Sequence, residues 1–374
     1  MVIRKTLAAS VLALFLFVPA FCQDAPNPLS GEFLRPHQMI EIAKGRKLNL
    51  FCMGNGATTV IFDAGGSDWS VVWFLVQPEL ARTMRACSYD RAGLGYSDPA
   101  TGDRSPVAIV EDMHALIHAA KLDRSLVLVG HSLGGFHVKL YTALYPQDVK
   151  GLVLVDPSEE RAWERTRGMI VARFGKAEAA RAELLDQDFL VALVRHFQDC
   201  RDAARTTGLS PGSQTYRRCS DPPRKVLGVG VAAERRRLQV TTAYQTAQAS
   251  EIEFSVYGNR AGDPIYAKLF RRGAFGTVPM VLLTHAIEPS SDPLDRIDAV
   301  QTSELQRQTA ALSRRSVHRV LAGVSHHIEL DAPQEIVSAV AHVTASIGYP
   351  RRVKTAGQDS MPPEEGRNGN FRAR

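Results

Sequence analysis

Past residue 18 the chain has no apolar run that could cross a bilayer, which takes about 20 consecutive apolar residues; this excludes a polytopic membrane protein. Aromatic residues are sparse, at 7% of 374 positions, and the basic residues are mostly scattered arginines without aromatic interleaving. A nucleic-acid platform needs cations and stacking rings together, so the net charge of +6 does not point to nucleic acid. Part of that excess lies in the Pro-, Gly- and Asn-rich tail, residues 350–374, read as disordered and solvated. No repeat of solenoid length is present. His114 and His118 share a helix face, but the sequence offers no evident third ligand, so no metal site is expected and no cofactor is implied.

What is present starts at the N-terminus. Arg4 and Lys5 precede an apolar run over residues 7–18, and Val18-Pro19-Ala20 offers small residues near a cleavage point. This is the pattern of a secretory signal, assigned to residues 1–22. The run is short for a membrane anchor, and bulky Phe21 argues against lipidation at Cys22. The mature protein is therefore expected to be exported, periplasmic or secreted, with no stable membrane insertion. Export permits disulfides. Cys52 and Cys87 fall in two β-like segments, while Cys200 and Cys219 bracket a short polar loop. These are the natural pairs among three connectivities, with buried free thiols as the alternative.

Short apolar strands alternate with helical stretches: 58–62, 86–89, 126–129 and 151–155, then again 278–283 and 317–321. Such runs predict a mostly parallel sheet covered on both faces. Residues 39–50 read as a hairpin around Lys44-Gly45-Arg46, with helices predicted over 107–120, 295–312 and 333–347. Between about 157 and 275 no comparable strand occurs, and the amphipathic stretches 177–197 and 231–249 flank a polar segment at 210–225. The expected organisation is a core of residues 30–156 and 276–349, with a helical cap inserted as residues 157–275.

The most informative stretch is Val127-Leu128-Val129-Gly130-His131-Ser132-Leu133-Gly134-Gly135. An apolar strand runs into Gly-x-Ser-x-Gly and then into a helix-like segment, the setting that gives this otherwise weak pattern its meaning. A serine on so sharp a turn is strained, and side chains at Gly130 and Gly134 would collide there. The N–H of Leu133, at the helix start, is the first candidate oxyanion donor.

Together with Asp63-Ala64-Gly65-Gly66, the run from Tyr89 to Asp98 and Val324-Ser325-His326-His327-Ile328, this motif makes the chain resemble the α/β-hydrolase superfamily, in its cap-containing serine hydrolase branch. The resemblance covers about residues 38–348, apart from the cap. It implies an α/β-hydrolase fold, with a mostly parallel central sheet flanked by helices. It also implies Ser132 as nucleophile, and His326 as base in preference to its neighbour His327. The acid is implied at Asp156, where a subset of the fold carries it, with Glu288, Asp292 and Asp295 as alternatives near the more common site after the following strand. The second oxyanion donor is expected to be the N–H of Gly66. Asp90 and Arg91 are read as bracing their loop, and Trp69 and Trp73 as core or pocket wall.

The activity this implies is acyl transfer from a small-molecule ester-like substrate. Rival readings are perhydrolysis by the same residues, and a non-catalytic ligand-binding module. Dehalogenases and epoxide hydrolases of the fold use an aspartate nucleophile, against which Ser132 argues.

Overall fold

The computed structural model describes residues 30–122, 126–222, 224–288 and 290–347. The expected signal segment 1–22 and tail 350–374 lie outside the described residues. The strands are β1 (Gln38–Ala43), β2 (Arg46–Met53), β3 (Thr59–Asp63), β4 (Arg85–Tyr89), β5 (Leu126–His131), β6 (Val149–Val155), β7 (Met280–His285) and β8 (Ser316–Leu321). They form one sheet in the order β1-β2-β4-β3-β5-β6-β7-β8. The first two pairings are antiparallel and the rest parallel.

Helices α1 (Gln77–Leu80), α2 (Pro106–Ala119) and α3 (Leu133–Leu144) separate the early strands. After β6 come α4 (Ala162–Phe174), α5 (Lys176–Thr206), α6 (Gln214–Cys219), α7 (Gly228–Gln239), α8 (Thr242–Phe254) and α9 (Asp263–Leu269), with no strand between them among the described residues. Helix α10 (Pro293–Ala310) follows β7, and α11 (Ile328–Asp331) and α12 (Pro333–Ile347) close the chain.

The continuous apolar strands are explained by burial on two faces. In β5, Leu126 and Leu128 enter the layer that holds Val110 and Met113 of α2 with Phe136 and Leu140 of α3. Val127 and Val129 point the other way, into the layer with Ile336, Val340 and Val343 of α12. Side chains alternate along a strand, so a strand buried twice must be apolar at every position. Helix α2 starts where predicted because Pro106 fills its first position and the Ser105 hydroxyl accepts a hydrogen bond from Ala108 N.

The inserted segment differs from the sequence reading in two places. The amphipathic stretch 177–197 belongs to a single helix of 31 residues, α5. The stretch 231–249 is two helices, broken where the Thr241 hydroxyl accepts from Tyr244 N at 3.2 Å and caps α8. A threonine that caps ends one helix and starts another, which amphipathic periodicity does not register. Both expected disulfides are present. Cys52–Cys87 joins directly opposed residues of β2 and β4, and Cys200–Cys219 ties α5 to α6. No helix among the described residues is long and apolar enough to cross a membrane.

Helix α12 seats on β6 through a missing side chain. A Cβ on Gly151 would stand 2.2 Å from Val343 Cγ1, and valine has little rotamer freedom with which to move away. Gly151→Ala should therefore destabilise the protein by about 1–3 kcal/mol, the usual effect of overpacking. A thermal or urea melt reads this directly; an unchanged midpoint would mean that α12 does not pack here as described.

Candidate active site

Ser132 follows the last residue of β5 and precedes α3, with φ 53° and ψ −120°, in a region that L-residues rarely adopt. The flanking glycines are sterically required. A Cβ on Gly130 would lie 2.3 Å from Gly134 O, and one on Gly134 would lie 2.3 Å from Asp63 O. The turn is held by Ser132 N donating to Val155 O at 3.0 Å, and by Ser132 O accepting from Phe136 N and Ser158 N. The Ser132 hydroxyl makes no capping bond to α3. It stands where β5 ends, half-buried.

Register brings Asp156 alongside Ser132. His131 pairs with Val155, so Ser132 and Asp156 follow neighbouring residues at the ends of β5 and β6. Asp156 is also in the left-handed region, at φ 44°. Its buried carboxylate accepts from two imidazoles at one oxygen: His326 Nδ1 is 2.5 Å from Oδ2, and His285 Nδ1 is 2.7 Å from the same atom. The His285 backbone N–H adds a 3.3 Å contact to Oδ1. Burial would push this carboxyl up, but the hydrogen bonds and charge of His326 and His285 outweigh it and hold the acid below its ordinary value. An ionised carboxylate only accepts, so His326 Nδ1 carries hydrogen, and in the neutral ring Nε2 is left with a free lone pair.

The sequence alternatives fall elsewhere. His327 Nδ1 faces Glu329 Oε1 at 3.1 Å, a separate and fully buried carboxylate whose hydrogen bond raises the histidine's pKa. Asp292 caps α10 by accepting from Leu294 N, and Asp295 accepts from the Ser290 hydroxyl. Glu288 lines a surface cleft with Arg173 and Arg296. His131, next to Ser132, donates from Nε2 to His326 O at 2.9 Å, which ties the loop carrying His326 to the serine turn.

Gly66 and Leu133, whose N–H groups are the two expected oxyanion donors, are neighbours. A Cβ on Gly66 would meet Leu133 Cδ1 at 2.9 Å, and a Cβ on Gly65 would meet His131 Nδ1 at 2.9 Å. The N–H of Leu133 belongs to the first turn of α3, where no intrahelical acceptor exists. The β3 loop is held from behind by Arg91, whose reach exceeds the sequence reading of a residue bracing its own loop. Its Nη1 donates to Asp63 Oδ1 and Ala64 O, Nη2 to Gly65 O and Glu251 Oε2, and Nε to Glu251 Oε1, all between 2.6 and 2.8 Å. Asp90 does brace its own turn, accepting from Ser70 N, Tyr96 N and Asn49 Nδ2. Trp69 and Trp73 are core residues, both buried.

Sequence reasoning did not assign roles to His285, Glu251 or Glu329. His285 carried one signal: it ends the strand after which the acid was sought. Among the described residues, Asp156-His285-His326 and His131-His327-Glu329 bring ligand-type atoms within 4.8 Å of one another, as does His114-His118-Asp148. The first two sets are already engaged in hydrogen bonds between imidazole and carboxylate.

Comparison with known proteins agrees with this architecture. A family model described as alpha/beta hydrolase fold matches residues 58–225. A (lyso)-N-acylphosphatidylethanolamine lipase of Mus musculus is 34% identical over 89 residues, 23% of this chain and 26% of that protein. Matches to other curated relatives span 16 to 42% of those proteins' lengths. Among solved structures, the epoxide hydrolase CorEH aligns with TM-score 0.53 and 16% identity, covering 83% of this chain and 98% of that one. An esterase of Thermogutta terrifontis aligns with TM-score 0.50 and 16% identity, covering 84% and 99%. At such identities the structural matches speak for the fold alone. Strand order, serine turn and the family model agree that the chain has the α/β-hydrolase fold.

Proposed function

We propose that this protein is an exported serine hydrolase that cleaves a carboxylic ester through an acyl-enzyme. The observation that carries the reading is the Asp156–His326 Nδ1 hydrogen bond beside the serine turn. A serine hydroxyl is a weak nucleophile at neutral pH and needs an adjacent base. His326 Nε2 takes the Ser132 proton as Oγ attacks the ester carbonyl, and the ionised Asp156 stabilises the imidazolium. The N–H groups of Leu133 and Gly66 receive the negative charge that develops on the carbonyl oxygen, each donor being worth about 3 kcal/mol. The imidazolium then protonates the departing alkoxide. Water, deprotonated by His326, releases the carboxylic acid and restores Ser132.

Epoxide hydrolysis on this scaffold uses a carboxylate nucleophile, and the residue on the turn here is serine. The helices of residues 157–275 act as the cap in this reading, with residues 30–156 and 276–349 as the catalytic core. Two disulfides are consistent with maturation in an oxidising compartment. His285 is a positioning residue: it holds the Asp156 carboxylate by a side-chain and a backbone donor, leaving one lone pair of Oδ2 for His326.

Covalent labelling by a fluorophosphonate probe, together with turnover of short p-nitrophenyl esters, tests the assignment. Both should vanish in Ser132→Ala; a folded wild-type protein that shows neither would leave a binding module as the better reading. His326→Ala should abolish turnover while His327→Ala keeps it, and the reverse result would exchange the two histidines. Asp156→Asn should lower kcat by about 10⁴-fold, because an amide fixes the wrong imidazole tautomer.

For His285, a hydrogen bond to a charged group is worth about 1.5–3 kcal/mol, or roughly ten- to hundredfold in rate. His285→Ala should lose that much in kcat with KM unchanged. His285→Asn, whose amide N–H can reach the same oxygen, should recover most of it. Equal loss in both variants would assign His285 a merely structural part.

A further inference from the structure

Helix α2 carries His114 and His118 one turn apart, so both imidazoles leave the same face. Opposite them, in the turn from α3 to β6, stands Asp148. Its backbone is fixed on both sides, the N–H donating to Tyr145 O at 3.2 Å and the carbonyl accepting from Leu126 N at 3.0 Å. The three side chains converge. His114 Nε2 and His118 Nε2 are 2.9 Å apart, and His114 Nε2 is 3.7 Å from Asp148 Oδ2. One ligand-type atom from each residue falls within a 4.8 Å group.

Neighbours restrain the ligands. The His114 ring stacks on Tyr145 with centroids 3.8 Å apart and 13° between planes. Asp148 Oδ2 accepts from the Tyr141 hydroxyl at 3.3 Å. Asp148 is buried, His114 is half-buried and His118 is exposed, so the cluster opens to solvent on one side.

A hydrogen bond between two neutral imidazoles uses one Nε2 as donor and the other as acceptor, and gives the carboxylate nothing. A cation serves all three atoms. A tetrahedral ion with bonds of about 2.0–2.1 Å holds its ligand atoms roughly 3.3–3.4 Å apart, and the separations of 2.9 and 3.7 Å lie on either side of that value. Two imidazoles with one carboxylate suit zinc and its first-row neighbours, whereas calcium and magnesium favour all-oxygen sets.

We propose that His114, His118 and Asp148 form a binding site for a divalent first-row transition cation, zinc foremost, that clamps α2 to the turn leading into β6. The carboxylate that completes the set lies 30 positions beyond His118 and reaches it only through the packing of α2 against α3. The site is separate from the Asp156 cluster and does not depend on the hydrolase reading.

Zinc chloride titrated calorimetrically into the tag-free full chain tests this, with cobalt absorption as a second readout of ligand geometry. The wild type should bind one equivalent that His118→Ala and Asp148→Asn each weaken by at least about tenfold, the scale on which even an outer partner is felt. That equivalent should persist in His326→Ala and in His327→Ala, each of which disrupts one of the two other clusters. Zinc should raise the melting temperature of the wild type and His326→Ala but not of His118→Ala. The exposed His118→Ala variant should melt normally without zinc and keep full ester turnover. Unchanged binding in His118→Ala or in Asp148→Asn, or no binding by the wild type, would overturn the site.

Discussion

The arrangement around the serine depends on one buried cation. Arg91 is 2% exposed, and a charge in that position is tolerable only if its donors are matched. A guanidinium has five N–H groups, and here they meet five acceptors: two carbonyls of the β3 loop, one oxygen of Asp63 and both oxygens of Glu251. With Ala64 O and Gly65 O drawn back onto Arg91, the backbone of the β3 loop is fixed beside the serine turn. The same residue joins β3 to the helices between β6 and β7, since Glu251 belongs to α8. A lysine could not substitute, because a point charge with three donors cannot span these directions. Removing any one acidic partner would leave a buried group unpaired, a far larger penalty than the pair's net worth.

A second constraint is local strain placed where two strands end. Ser132 and Asp156 both have positive φ, and neither is glycine. Each such residue costs on the order of 1–3 kcal/mol and persists only when its surroundings over-determine it. They do here, because Ser132 N is held by Val155 O, Asp156 N by Leu283 O, and Ser132 O by Ser158 N. The strain lifts both side chains off the sheet on the same edge. This is how two residues 24 positions apart come to stand at neighbouring strand ends although nothing in their local sequences refers to the other.

What could be read from the sequence follows the range of the forces involved. The parallel strands were legible because double burial forces continuous apolar runs such as Leu126 to Val129, and Gly130 and Gly134 were legible because a turn's sterics are local. The resemblance implies His326 rather than His327 as base, and the carboxylates that the two rings face, Asp156 and Glu329, are not named by either residue's local sequence. The insertion was legible only as helical: the break at Thr241 depends on a side-chain cap, and the full length of α5 on packing against α4 and α8. Long-range charge pairing was not legible at all. Glu251 meets Arg91 across 160 positions, and nothing at either residue names its partner.

The position of Asp156 follows from the spacing of the sheet. Val155 is in register with Leu283, so Asp156 stands beside Thr284 and one residue short of His285. Adjacent strands are about 4.8 Å apart, so a carboxylate that ends β6 lies one strand nearer the serine than one that ends β7. At the end of β7 stands the imidazole of His285, with a donor directed back at Asp156. Each carboxylate oxygen of Asp156 receives a contact from residue 285, one from the ring and one from the backbone. Rotating the carboxylate would break both at once. The aspartate is thereby held against two directions of motion, and the one lone pair of Oδ2 not engaged by His285 is the one His326 uses.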